Sequence, residues 1–381
     1  MIALLVGPGA LGSPRDGQAS GNESPSTTGS PPATGSPAHG HETDSRAGSG
    51  TSLPQSPPTT AGAVERHLAN LRRLTHGGQN AEAYFSWDAR QLVFQATCPP
   101  HDCDQIFVMD VEAAAPRLVS SGKGRTTCAF FFPDGKRVVY ATTEFGSASC
   151  PPKPDRSKGY VWPIHDSYEI VSASSDGSDV KRLTNSPGYD AECALDPDGK
   201  RIVFTSIRSG DLDIYTMNAD GTGVTRLTTE PGYDGGPFFS WDGTKIVYRS
   251  LKPRDEKELV EYRRLLGQGL IRPVHAELMV MDADGSNKRQ LTSNQAANWA
   301  PFMHPNGRQI IFSSNLHDPA RRSFSLYTVN VDGTGLERIT YGARFDSFAM
   351  FSRDGKKLVF CSSRGGTGPH EFNVFVADWV P

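Results

Sequence analysis

Between residues 196 and 228 the chain reads DPDGKRIVFTSIRSGDLDIYTMNADGTGVTRLT, with short apolar runs separated by polar Asp-Gly pairs. RIVFTS and its counterparts KIVYRS, QIIFSS and KLVFCS are too short and too rich in β-branched and aromatic residues for helices. They predict buried strands. The Asp-Gly pairs predict tight turns, because the Asp side chain accepts from the backbone ahead of it and Gly adopts the positive φ of a hairpin. One segment has a helical period instead. In RDEKELVEYRRLLGQGL, Leu259, Tyr262, Leu265 and Leu266 fall on one face opposite a charged one, predicting an amphipathic helix.

The pattern repeats. The turn after the first strand of the phrase recurs at Asp134, Asp198, Asp242, Asn306 and Asp354, with a degenerate copy at Asp88. A second turn series stands at Asp176, Asp220, Asp284 and Asp332, and from Asp176 and Asp198 both series step by 44, 64 and 48 residues. Two independent series with one spacing mean one duplicated unit with insertions in particular copies. RRLT at 72–75, KRLT at 181–184, TRLT at 225–228, RQLT at 289–292 and ERIT at 337–340 form a third series, with RLVS at 117–120 a weaker relative. Each unit is therefore four antiparallel strands. Such a sheet cannot bury both faces alone, and radial stacking solves this. The fold class is all-β, a six-bladed β-propeller with one inserted helix in blade four. The last unit stops at its third strand while RRLT at 72–75 has no unit of its own, so the N-terminal strand is expected to pair with 372–378 and close the ring.

Residues 13–62 are dominated by Gly, Ser, Pro and Thr and cannot offset their ordering entropy by burial. The expected domains are a low-complexity segment over 1–64 and a propeller over 65–381. MIALLVGPGALG resembles the apolar part of a secretory signal without its basic region, as a start codon placed too far downstream would leave. A periplasmic or secreted location is expected, with a cytoplasmic one the alternative. No stretch approaches the roughly 18 to 20 apolar residues of a membrane span. With 39 basic and 42 acidic side chains and a net charge of -3, no nucleic-acid partner is implied. Six cysteines permit disulfides in an oxidising compartment. Cys98 and Cys103 could close a small loop around PPHD, Cys128 and Cys150 lie in the next unit, and Cys193 and Cys361 read as small buried hydrophobes. DADGSN lacks the Glu of a calcium-binding helix-loop-helix, and no CxxC pair occurs.

The unit PDGKRIVFTS…DIYTMNADGTGVTRLT resembles the repeat of the TolB propeller, the PD40 or WD40-like group, over residues 66–381. CPPKPDRSKGYVW, KELVEYRRLLGQGLIRP and NVFVADW are similar to phrases of free-standing bacterial TolB-like propellers. The resemblance implies the propeller fold and a binding role. It departs from the Tol-Pal component, whose N-terminal α/β domain has no counterpart in the low-complexity segment. It departs equally from propellers that cover serine peptidases, since no GxSxG elbow occurs.

Aligning the six first turns locates candidate chemistry. Eight residues before each turn stand Asn80, Thr126, Asp190, Asp234, Asn298 and Asp346; six before, Glu82, Cys128, Glu192, Gly236, Ala300 and Phe348. The first set is expected to ring one channel mouth, joined by Glu82 and Glu192, as oxygen ligands for Ca²⁺ or a cationic group; the alternative is capping of backbone amides. The insertions in units two and four both join second and third strands, so both are expected to wall that mouth, with Trp162 and His165 as ligand contacts. The expected function is a non-catalytic exported binding or scaffold propeller, a monomer engaging a protein, a peptide or a small ligand, with Tol-Pal kinship possible. The alternative is a hydrolase or lyase using the channel-mouth carboxylates with a bound cation. No catalytic residue is assigned.

Overall fold

The structure, a computed structural model, describes residues 64–381 apart from 113–114, 158 and 369. The signal-like start and the low-complexity segment lie outside the described residues. Six four-stranded antiparallel sheets stand in chain order. Their innermost strands are Gln79–Phe85, Thr126–Phe131, Asp190–Leu195, Tyr233–Phe239, Asn298–Met303 and Asp346–Phe351. Each second strand is covered on both sides by neighbouring strands and blades, which is why it reads as an unbroken apolar run: Ile202, Val203 and Phe204 are all 0% exposed.

The ring closes as the strand count requires. Leu68–Arg73 pairs antiparallel with Asn373–Trp379, with Arg72 opposite Val376 and Arg73 opposite Phe375. The strand starts four residues before RRLT, and Thr75 lies beyond its end.

That threonine explains the third repeat series. Thr75 Oγ1 accepts from the Val374 backbone N–H at 2.9 Å. Ser120, Thr184, Thr228, Thr292 and Thr340 do the same for Ile106, Ile170, Ile214, Leu278 and Leu326. One hydroxyl per blade thus pins the short outer strand to the start of the third strand, each bond worth about 1 kcal/mol net. The arginine two residues earlier reinforces it in several blades, as Arg226 does with Asp213 at 2.6 Å.

Both insertions rise on one side of the disc and meet. Trp162–Pro163 from blade two pairs with Leu270–Ile271 from blade four, a two-stranded ribbon belonging to neither blade. Ahead of it in blade four runs the expected helix, Glu256–Leu266, capped by Asp255, whose side chain accepts from the Glu258 N–H. Tyr262 and Leu265 are its buried residues, and the Tyr262 hydroxyl donates to Asp211 of blade three.

One disulfide pairing differs from expectation. The blade-two insertion folds back over blade one, where Gly124 N–H donates to Ala148 O, and this brings Cys150 to Cys103 with 5.9 Å between Cα atoms. Cys103 is thereby consumed across the blade boundary and Cys98 stays a free thiol.

Candidate functional site

Every innermost strand carries a register shift two or three residues after its start. At each shift one residue is left-handed: Glu82, Cys128, Glu192, Gly236, Ala300 and Phe348, with φ from 49° to 57°. Only one of the six is glycine, so the strain is held by the surrounding blades. The bulge turns all six side-chain positions toward a cavity of about 40 Å³. That is room for several water molecules or a group of a few heavy atoms.

Aromatic rings close the cavity below. Tyr84, Phe130, Phe238 and Phe302 pack edge-on or tilted at 5.3–6.1 Å, and Trp87 meets Trp241 at 5.7 Å beyond them. The ribbon closes it above. Trp162 is 4% exposed, lies 5.0 Å from Trp299 of blade five, and donates its indole N–H to Tyr160 Oη at 2.8 Å.

Two carboxyl groups face this chamber in different circumstances. Glu192 accepts from Thr205 Oγ1 (2.8 Å), Tyr233 Oη (2.9 Å), the Gly236 N–H (2.8 Å) and Arg249 Nη2 (2.6 Å). Burial alone would lower the Arg249 pKa, but the Glu192 carboxylate raises it, and the guanidinium also lies 5.0 Å over the Trp162 ring. Glu82 has no such cation. Burial pushes its carboxyl above the ordinary range, opposed by a hydrogen bond with the Cys128 thiol.

The first set of aligned residues sits elsewhere. Asn80, Thr126, Asp190, Asp234, Asn298 and Asp346 each donate their backbone N–H to a carbonyl of the preceding blade: Phe372, Asp104, Tyr168, Leu212, Ala276 and Phe324. Their side chains also meet protein partners. Asp190 faces Arg208 at 2.9 Å, Asp234 faces Lys252 at 2.9 Å, and Asp346 faces Arg364 at 3.3 Å. Asn80, Thr126 and Asn298 donate to the carbonyls of Phe372, Asp104 and Ala276. These six stitch blade to blade, while Glu82, Glu192 and Trp162 meet in the chamber. Half-buried His165 is outside the chamber lining, 6.0 Å from the Tyr168 ring, and burial lowers its pKa to about 4. Among the described residues no group of three or more His, Cys, Asp and Glu is placed to hold a metal ion.

Sequence reasoning missed Arg249, Tyr233 and Trp299. A signal for Arg249 existed: the fifth residue of the second strand is Gln95, Ala141, Thr205, Arg249, Ser313 or Cys361, and only one of these is charged.

The TolB beta propeller domain family, PD40, matches residues 160–261. Over 46 residues the chain is 54% identical to the Tol-Pal system protein TolB of Bordetella pertussis, covering 12% of this chain and 10% of that relative. The match thus spans about a tenth of the relative's length. A TolB candidate from Agrobacterium tumefaciens superposes with a TM-score of 0.53 at 20% identity, over 81% of this chain and 94% of that one. The TolB of Acinetobacter baumannii does so with a TM-score of 0.51 at 20% identity, over 68% and 54%. At such identities the superpositions speak to the fold.

Proposed function

Because the chain is a TolB-like β-propeller, we propose that it is an exported, non-catalytic binding module that engages a protein or peptide partner through the face carrying its two insertions. The observation behind this reading is the ribbon: two insertions from non-adjacent blades pair with each other over the channel and build a raised surface with the exposed helix beside it. Loops on a rigid scaffold are where propellers present recognition residues. Arg249 and Glu192 are committed to each other, which favours binding over acid–base chemistry.

Export to the periplasm is supported by the Cys103–Cys150 disulfide, a bond that persists in oxidising compartments, and by kinship with Tol-Pal system proteins. Among the described residues no helix is long and apolar enough to cross a membrane.

The test is cross-linked capture from the native envelope fraction. One variant carries Val260→Asp with Arg263→Glu on the exposed helix face, and a control carries Lys136→Glu on the opposite side of the disc. Loss of a captured protein with the helix variant and its retention with the control is expected. The reverse pattern, or identical capture by both, overturns the reading.

A further inference from the structure

Where the second strand of a blade turns toward the third, several blades carry a side chain that plugs the end of the sheet. Arg208 of blade three lies 5.3 Å over Phe204 and 5.2 Å over Tyr215, a cross-strand pair, and reaches Asp190 at 2.9 Å. Arg364 of blade six does the same over Phe360 and Phe375, at 5.1 and 5.8 Å, and reaches Asp346. Lys252 of blade four reaches Asp234. Blade five has Asn298 in place of the aspartate and Leu316 in place of the cation, packed against the core, with Phe312 and Tyr327 as its pair. Arg208, Leu316 and Arg364 each donate their backbone N–H to the serine two residues earlier, so the three plugs leave the sheet alike. The plug follows the charge: aspartate takes a cation, asparagine a leucine. Blade two has Val171 in place of the second ring.

Blade one has the pair without the plug. Phe94 and Phe107 stack at 5.8 Å, Asn80 stands where the aspartates do, and the plug position holds Cys98, too short to cover the rings. A groove of about 310 Å³ remains, lined by Leu74, Asn80, Phe94, Cys98, Phe107 and Pro116. Phe107 is accordingly half-buried, whereas Tyr215, Tyr327 and Phe375 are 4%, 1% and 6% exposed. His101 is 6.4 Å from Phe107 and outside the lining. The rim residues His76, Gly77 and Pro116 are exposed, so the groove stands open to solvent.

No carboxylate, lysine or arginine lines this groove, so nothing there balances an incoming charge, and its walls reward an apolar group. Asn80 adds a polar requirement. Its counterpart Asn298 accepts from Ser314 Oγ at 2.7 Å, but the residue opposite Asn80 is Ala96, and Asn80 Oδ1 accepts no hydrogen bond among the described residues. A polypeptide carries N–H donors beside its side chains, and a hydrocarbon chain does not.

We propose that this groove seats a leucine-type side chain of the protein partner, doing for blade one what Leu316 does for blade five, with a backbone N–H of that partner donating to Asn80. Cys98 lies between the second and third strands of its blade, as both insertions do, so the groove opens on the face already assigned to the partner. This inference rests on that binding reading and gives it an anchor.

The Cys98 thiol reports occupancy on the purified full chain, because Cys128, Cys193 and Cys361 are buried and the other two cysteines are bonded. Its alkylation by N-ethylmaleimide is timed in the presence of N-acetyl-leucine methylamide, the alanine and arginine analogues, or hexanol. The leucine compound should slow alkylation saturably, with half-protection on the order of 1 to 10 mM for so few atoms. The two analogues and hexanol should each need at least about threefold more. Equal or stronger protection by any of them, or none by the leucine compound, overturns the proposal. Cys98→Leu, which copies blade five, should melt at or above wild type and weaken partner capture by about tenfold or more. Should that variant fold poorly, the alkylation series decides. Unchanged capture by folded Cys98→Leu overturns the anchor, and if Val260→Asp with Arg263→Glu still abolishes capture, the binding module stands without it.

Discussion

Arg249 of blade four reaches across the blade boundary to Glu192 of blade three, Nη2 to Oε1 at 2.6 Å, with both side chains less than a tenth exposed. The Tyr233 hydroxyl bridges them, accepting from Arg249 Nε at 2.8 Å and donating to Glu192. The pair is a joint between blades as well as part of the chamber wall.

Removing one partner leaves the other charge buried and alone. Arg249→Met should destabilise the propeller by about 3 to 5 kcal/mol. Adding Glu192→Gln should recover part of that loss, since the stranded carboxylate is gone. Urea midpoints of the two single variants and the double variant check this; a loss under about 1 kcal/mol for Arg249→Met contradicts it.

Glu82 predicts a pH dependence. Burial raises its folded-state pKa above the ordinary 4.5, with Cys128, Glu192, Arg249, Tyr84, Cys193 and Cys361 among the ionisable groups around it. The unfolded chain releases this proton near the ordinary value while the fold retains it, so Glu82's contribution is intact below about pH 4.5 and is lost as pH rises toward the raised value. Glu82→Gln should therefore melt above wild type near pH 8 and converge with it near about pH 4. Parallel melting curves across that range would exclude the effect.

Two histidines act in the opposite direction. Burial depresses His165 and His317 from 6.5 to about 4, so the unfolded state takes up their protons first. Their stabilisation is present above the unfolded value and is lost as pH falls from 6.5 toward 4. The double variant His165→Gln with His317→Gln should show a shallower acid-side fall in melting temperature than wild type.

The Cys103–Cys150 bond closes a separation of 47 residues, for which chain entropy gives about 4 kcal/mol as an upper figure. Cys150→Ser, or reduction of the wild type, should lower the melting temperature by several degrees. Free-thiol titration of the unfolded protein before and after reduction should rise by two, and no rise would refute the pairing.

Thr75 tests the repeated clamp at the ring's seam. Thr75→Val leaves the buried Val374 N–H unpaired and should cost about 1 to 3 kcal/mol, and Thr228→Val should cost a similar amount through Ile214. A much larger loss for Thr75 would mean that the seam opens as a unit.

The fold was legible because its markers answer local demands. Asp-Gly supplies a turn at Asp198 or Asp242 whatever surrounds it, and the threonine that ends RRLT and its counterparts, or Ser120 in RLVS, supplies a hydroxyl that the third strand needs in every blade. The leftover RRLT then forced closure, and the shared position of the two insertions forced a common face. The chamber was only half legible. Asn80 and Glu82 are two residues apart and read as neighbours on one strand face. The bulge between them sends one into the blade seam and the other toward the axis, and no residue type announces it, since Glu, Cys, Ala and Phe all occupy the left-handed position. The disulfide escaped for a similar reason: Cys98 is closer to Cys103 in sequence, but the path of the blade-two insertion decides the partner.

Strand Leu68–Arg73 has its partners roughly 300 residues later, as the Asn70–Asp378 bond with its separation of 308 shows. At synthesis rates of about 5 to 20 residues per second, the first-made strand waits roughly 15 to 60 s for its mate. Throughout that interval blade six cannot exist and the arc of blades has two unpaired strand edges, the kind that template pairing with other chains, until the last seven residues of strand arrive.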